Sequence, residues 1–180
     1  MIHCLSYDPR TAAQCHADQH LVSSLRSVHE CLSACRPDHR SSLKNFDLNK
    51  PWVKWTARFQ VSHAWMWYLG LSLIEEATHR NLPLPEVTAR KAFSLNPKGE
   101  QFTPGRISTV TGPNKGPNYD KMPKDASDLA IFEAYPKDTV GIHRSRYQLY
   151  HSRNTTYTDR PPPDWLTGYT QISTNQWRKP

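Results

Sequence analysis

Between Pro9 and Pro37 the chain runs without a single glycine or proline, and so long a stretch free of breakers is most readily accommodated as helix. Asp8 directly before Pro9 is the pattern of an N-cap followed by proline in the first helical position, where the missing N–H costs nothing. Ala12, Cys15, His16, Leu21, Val22, Leu25, Val28, Leu32 and Cys35 recur at threes and fours, forming one apolar stripe backed by a polar face. This predicts a long first helix over about 9–35. Its polar face is where chemistry is sought.

Pro51 opens a second segment that reads as helix to about His79. Phe59, Met66, Leu69 and Leu73 keep the helical period, while Trp52, Trp55, Trp65, Trp67 and Tyr68 spread around the cylinder, as in a core helix covered on several sides. Gly70 marks close packing within it. Shorter helices are expected over 85–93, 128–135 and 139–153. Between them, 96–125 is crowded with glycine and proline and carries Lys98, Arg106, Lys115, Lys121 and Lys124, which reads as a long functional or disordered loop. Its Gly-Pro-Asn-Lys-Gly-Pro stretch lacks the ending of a phosphate-cradling loop, which excludes a Walker-type NTPase. From about 155 to 180 an extended aromatic tail follows, marked by Arg160-Pro-Pro-Pro-Asp-Trp165. Alternation of the strand kind is nearly absent, so the expected fold is all-α, a single helical domain spanning 1–180. With 37% apolar residues but six Trp and eight Tyr in 180 residues, its core is to be built from few, large side chains.

The longest apolar run, from Ala64 to Ile74, is interrupted by Gly70 and Ser72 and falls short of the roughly 20 residues a membrane span requires. The first residues show no secretory signal, which sets the expectation of an intracellular protein. The four cysteines have none of the spacings of a zinc ribbon. His16 with His20, and Cys31 with Cys35, share helix faces, but on a continuous helix the two pairs lie about 20 Å apart, too far to share one ion. No metal or cofactor is expected.

The net charge is +7, and residues 143–180 hold six basic side chains against two acidic ones. Arg144, Arg146, Arg153, Arg160, Arg178 and Lys179 are interleaved with Tyr147, Tyr150, Tyr157, Trp165, Tyr169 and Trp177. Such a mixture suits phosphate contacts combined with base stacking. The plain alternative is a solvated basic surface that keeps the protein soluble.

Ala17-Asp18-Gln19-His20-Leu21 on the first helix and Arg160-Pro-Pro-Pro-Asp-Trp165-Leu-Thr-Gly168-Tyr169 near the end together resemble the phage pyrimidine-dimer DNA glycosylases of the endonuclease V type. Tyr7-Asp8-Pro9-Arg10 and Lys50-Pro51-Trp52-Val53-Lys54-Trp55 resemble segments of related phage proteins. The resemblance covers about 3–80 and 139–170. It implies a monomer that binds duplex DNA in the cytoplasm of a phage-infected or bacterial cell, extrudes a damaged or modified pyrimidine, and attacks the sugar with an N-terminal amine, here that of Met1. The amine forms an imine with the sugar carbon, and a first-helix carboxylate stabilises the charge developing on the sugar. Arg26 matches the family's arginine and His20 its motif histidine, and His3 takes the place of a basic residue near the terminus. The family's carboxylate position is occupied by Ser27, with Glu30 as the nearest substitute acid. Met1, His20, Ser27 and Glu30 are therefore the catalytic candidates. His3, Arg26, Lys115, Arg144, Arg146, Arg153, Arg160, Trp165 and Tyr169 are the candidates for DNA contact.

The sequence leaves three functions open: a glycosylase/AP lyase, a cleavage-deficient protein that binds or blocks DNA, and a phage enzyme that modifies DNA bases on the same scaffold. A serine hydrolase built on Ser27, His20 and Asp18 is excluded. Asp18 and His20, two apart on one helix, point about 160° from each other.

Overall fold

The computed structural model describes residues 2–34, 49–58, 60–84 and 139–180. The expected helices over 85–93 and 128–135, the 96–125 loop with Lys115, and Met1 lie outside the described residues. Helix α1 spans Pro9–Gln14, α2 Asp18–Ala34, α3 Pro51–Arg58, α4 Gln60–His79 and α5 Thr139–Arg146, which continues into a π-helical turn over Tyr147–His151.

The start of α1 follows the sequence. Asp8 Oδ2 accepts the Thr11 N–H at 2.7 Å, with proline in the first turn. The single helix expected over 9–35 is instead two, parted at Cys15, His16 and Ala17. No local breaker causes this. The Arg80 guanidinium, wholly buried, donates to the carbonyls of Gln14 and His16 at 2.9 Å each, and the Tyr157 hydroxyl donates to that of Cys15 at 2.6 Å. Carbonyls that a continuous helix would pair with its own amides are satisfied by side chains from elsewhere, so the break leaves them with partners.

Helices α2 and α4 pack along the main core, where Leu21, Leu25, Val28 and Leu32 meet Trp65, Met66, Leu69 and Leu73. A Cβ placed on Gly70 would lie 3.1 Å from Val28 Cγ1, so this glycine does permit close approach of the two helices. The second expected helix, 51–79, is carried by α3 and α4, with Phe59 between them outside the described residues.

The expectation of an all-α chain is overturned by the tail. Thr155–Thr158 (β1), Thr170–Ser173 (β2) and Gln176–Lys179 (β3) form an antiparallel three-stranded sheet in the order β1-β3-β2. Tyr157 faces Trp177 across β1 and β3, and the β2–β3 pairing is irregular between Gln171 and Ser173. Four-residue strands offer barely two repeats of alternation, too few to stand out against a proline-rich tail. The outer edge of β1 is covered by α2. Gln19 exchanges bonds with Thr156, and Asp18 accepts from the Thr158 hydroxyl and amide. Leu5, Cys15, Ala17, Tyr147, Tyr157 and Leu166 make a second core under the sheet, flanked by Trp165, Tyr169 and Trp177.

Candidate functional site

The extended amino-terminal segment Ile2–Leu5 is buried. It runs past the α1–α2 break, so that His3 stands among three other rings. Its ring centroid lies 6.0 Å from His16, 6.3 Å from His20 and 5.1 Å from Tyr147. Tyr147, from the π-helical turn, also lies edge-on to His20 at 5.2 Å and 6.0 Å from His16. Trp165 closes one side at 6.2 Å from Tyr147. Over its ring, at 5.3 Å, sits the Arg144 guanidinium, whose Nε donates to the Leu5 carbonyl at 2.8 Å. Four segments distant in sequence thus converge on one imidazole and phenol cluster.

Within the cluster, each ring has a distinct electrostatic role. His16 is fully buried, and its Nδ1 lies 2.7 Å from the Ala12 carbonyl. A carbonyl can only accept, so Nδ1 carries the proton and Nε2 is a bare lone pair, for which no protein partner exists among the described residues. Burial pushes this imidazole far below its ordinary value, to about 3, so it is neutral at physiological pH. The Tyr147 hydroxyl accepts the Ala17 N–H at 2.7 Å and lies 2.7 Å from His20 Nδ1. Burial raises both the Tyr147 and Tyr157 phenols above their usual range. The Cys15 thiol is likewise raised by burial, with the Arg144 charge acting in the opposite sense.

Beneath the cluster runs an ionic network. Arg80 pairs with Asp18 at 2.9 Å and Glu76 at 2.8 Å, while Arg160 binds Glu76 through two nitrogens at 2.6 and 3.1 Å. Burial alone would raise the Glu76 carboxyl, but its hydrogen bonds to Arg160 and the charge of Arg80 outweigh that and hold it below the ordinary glutamate value. Asp18 therefore orders helix packing and the sheet edge.

The residues singled out in the sequence are only partly gathered in this cluster. His3, His20, Arg144 and Trp165 are brought together. Ser27 shares a face with His20, but its hydroxyl donates to the Ser23 carbonyl at 3.2 Å, and Arg26 is exposed on α2. Glu30, ten residues beyond His20 and so about 15 Å along the helix, pairs with Lys50 at 3.4 Å at the surface. Arg160 is engaged by Glu76. The Tyr169 hydroxyl bonds with Thr155 Oγ1 at 2.5 Å, and its ring lies 5.3 Å from Tyr157, which pins the tail to the second core. Arg146 follows on α5, and Arg153 is exposed in the turn before β1. His16, Tyr147 and Arg80 were not among the site candidates. His16 reads as one more member of the apolar stripe and Tyr147 as one more aromatic among basic residues. Neither pattern carries a sign of their meeting.

Among the described residues no group of three or more His, Cys, Asp or Glu side chains is arranged to hold a metal ion, and no helix is long and apolar enough to cross a membrane. Comparison with protein-family models, with curated proteins and with solved structures finds no match.

Proposed function

We propose that this protein binds duplex DNA at a damaged or modified pyrimidine, extrudes the nucleotide, and acts on it as a glycosylase/AP lyase through its N-terminal amine. The observation that carries this reading is the burial of the amino-terminal segment against the start of α2, with His3 beside His20 and Tyr147 and with Arg144 and Trp165 at the margin. A neutral α-amine attacks the sugar C1′, and the bond to the departing base breaks with its electron pair leaving on the base. The new C–N bond becomes an imine as the sugar ring opens, which acidifies the neighbouring C2′ proton for elimination of the 3′ phosphate. An α-amine with a pKa of about 8 retains a useful neutral fraction at pH 7. Arg144 and Trp165 supply the charge and the flat surface that an extruded nucleotide requires.

Borohydride reduction in the presence of an abasic duplex tests it directly. The expected product is a covalent protein–DNA adduct that maps to the first peptide. A second reading, a cleavage-deficient DNA-binding protein on the same scaffold, is favoured by two observations: serine at the position of the family's carboxylate, and the engagement of Glu30 by Lys50. Binding that weakens steeply with salt but gives no adduct would decide for that alternative. Absence of any binding to duplex or abasic DNA would reject both.

A further inference from the structure

Three basic side chains of the tail are turned inward: Arg144 donates to the Leu5 carbonyl, Arg160 to Glu76, and Lys179 to Ser152 Oγ at 3.2 Å beside the Tyr169 ring. Arg178 is not among them. Its strand neighbours Trp177 and Lys179 face the second core, and successive strand residues point to opposite sides, so Arg178 stands exposed on the outer face. It lies opposite Thr156 of β1 on one side and the exposed Thr170 of β2 on the other. Thr156 shares that face, between the buried Thr155 and Tyr157, and its hydroxyl accepts from Gln19 Nε2 at 2.7 Å. Gln19 begins the polar side of α2, where Arg26, seven residues on, returns to the same face within about 20° and about 10 Å along the axis. Arg26 is exposed as well, and neither arginine has a hydrogen-bond or ion-pair partner among the described residues.

The neighbouring carboxylates do not offset this charge. Asp18 is bound by Arg80 and Thr158 and Glu30 by Lys50, while Asp159 sits past the end of β1 beside Asn175. A guanidinium fork matches a phosphate through two hydrogen bonds, and a threonine hydroxyl such as that of Thr170 commonly bonds phosphate or sugar oxygens. The aromatic side chains of the sheet, Tyr157 and Trp177, belong to the second core, so this face provides charge and hydrogen bonds rather than a stacking platform. Single strands are held largely by stacking on exposed rings, whereas a duplex presents its backbone with the bases already paired. We propose that the outer face of the sheet and the adjoining polar side of α2 hold the sugar–phosphate backbone of duplex DNA, with Arg178 and Arg26 each on a phosphate and the Gln19–Thr156 bond fixing helix to sheet between them. The proposal rests on the nucleotide reading above and adds to it the path of the flanking backbone. Gln19 immediately precedes His20, so a strand lying over this surface passes the edge of the ring cluster.

Fluorescence anisotropy of labelled duplexes, titrated with the full-length protein at several salt concentrations, tests it. Arg178→Gln and Arg26→Gln should each reduce the slope of log affinity against log salt by about one and weaken binding about five- to tenfold at roughly 0.1 M salt, equally for intact and abasic duplex. Arg178→Lys, which keeps the charge, should keep the slope. Both side chains are exposed, so urea midpoints should stay at the wild-type value, which separates a lost contact from a lost fold. Arg10→Gln makes the same change of charge at a residue that Glu75 already neutralises and should leave the slope unchanged. A wild-type slope in Arg178→Gln overturns the proposal, and so does an equal loss in Arg10→Gln, which would mark an effect of net charge. Binding of single strands or heparin that depends on Arg178 and is tighter than that of duplex overturns the choice of partner. The two readings fail separately. An Arg178-dependent slope without a borohydride adduct removes the glycosylase and leaves the backbone surface, whereas an adduct formed by a protein whose slope ignores Arg178 and Arg26 removes the surface and leaves the enzyme.

Discussion

Arg80 is the residue on which the most separate features of this molecule depend. Its guanidinium is wholly buried, yet it meets two carboxylates and two backbone carbonyls and lies 5.2 Å from the Tyr157 ring centroid. A charge taken out of water is tolerated only when its partners replace the lost hydration, and here Asp18 and Glu76 do so on two sides. The planar fork matters as much as the charge, since a lysine ammonium on a shorter donor set cannot reach both carbonyls and both carboxylates at once. Arg80→Met is expected to lower stability by about 3–5 kcal/mol because it takes from Asp18 its ion pair, leaves Glu76 to Arg160 alone and strips the Gln14 and His16 carbonyls of their donor, and Arg80→Lys should recover only part of this. Urea denaturation followed by tryptophan fluorescence measures both; a Met variant within experimental error of wild type would contradict the account.

Among the elements, the α1–α2 break and the α2–α4 contact do the positioning. The break turns His16 and Ala17 toward the π-helical turn, so that an amide and two imidazoles meet Tyr147. The α2–α4 contact holds that arrangement against the main core, and Gly70 stands where α4 comes close to Val28. Gly70→Val should cost roughly 1–3 kcal/mol, because added methyl groups would press on Val28 in a core without slack. Adding Val28→Ala to Gly70→Val should return part of that loss. A double-mutant cycle from denaturant midpoints would show favourable coupling between the two substitutions; strict additivity would mean that the contact is not what limits the approach. Much of these elements can be read along the chain. The N-cap at Asp8, the apolar stripe from Leu21 to Leu32 and the helix opening at Pro51 are local patterns, and they hold.

For the molecule as a whole, the buried imidazole and the ion-paired carboxylate give stability the same dependence on acid. His16 has an ordinary value of 6.5 and a folded value of about 3, so the unfolded chain takes up a proton first. Its contribution is fully present above pH 6.5 and is lost progressively as pH falls toward 3. Glu76 is held below its ordinary 4.5, so its contribution is present above that value and is lost as pH falls beneath it. Stability should therefore decline from about pH 6.5 downward, with a slope approaching 1.4 kcal/mol per pH unit from His16 alone. His16→Asn keeps a donor for the Ala12 carbonyl and should flatten the decline between pH 6.5 and 4.5, leaving the carboxylate part below. Guanidinium midpoints measured across this range check it; a wild-type midpoint unchanged between pH 7 and 4.5 would refute the assignment.

Helical content in the first half and a basic, aromatic carboxyl-terminal stretch follow from the amino-acid sequence alone, because both arise from residues near one another along the chain. The sheet, the interruption of the first helix and the ring cluster were decided only by the tertiary structure. Tyr147 and Ala17 are 130 residues apart, and Arg80 stands 64 residues from the carbonyl of His16 that it holds. Periodicity reports which way a side chain faces along its own helix, but it carries no term for a partner brought from another segment. The free energy that parts α1 from α2 comes from just such partners, through a buried guanidinium and a phenol that take over the bonds of the helix.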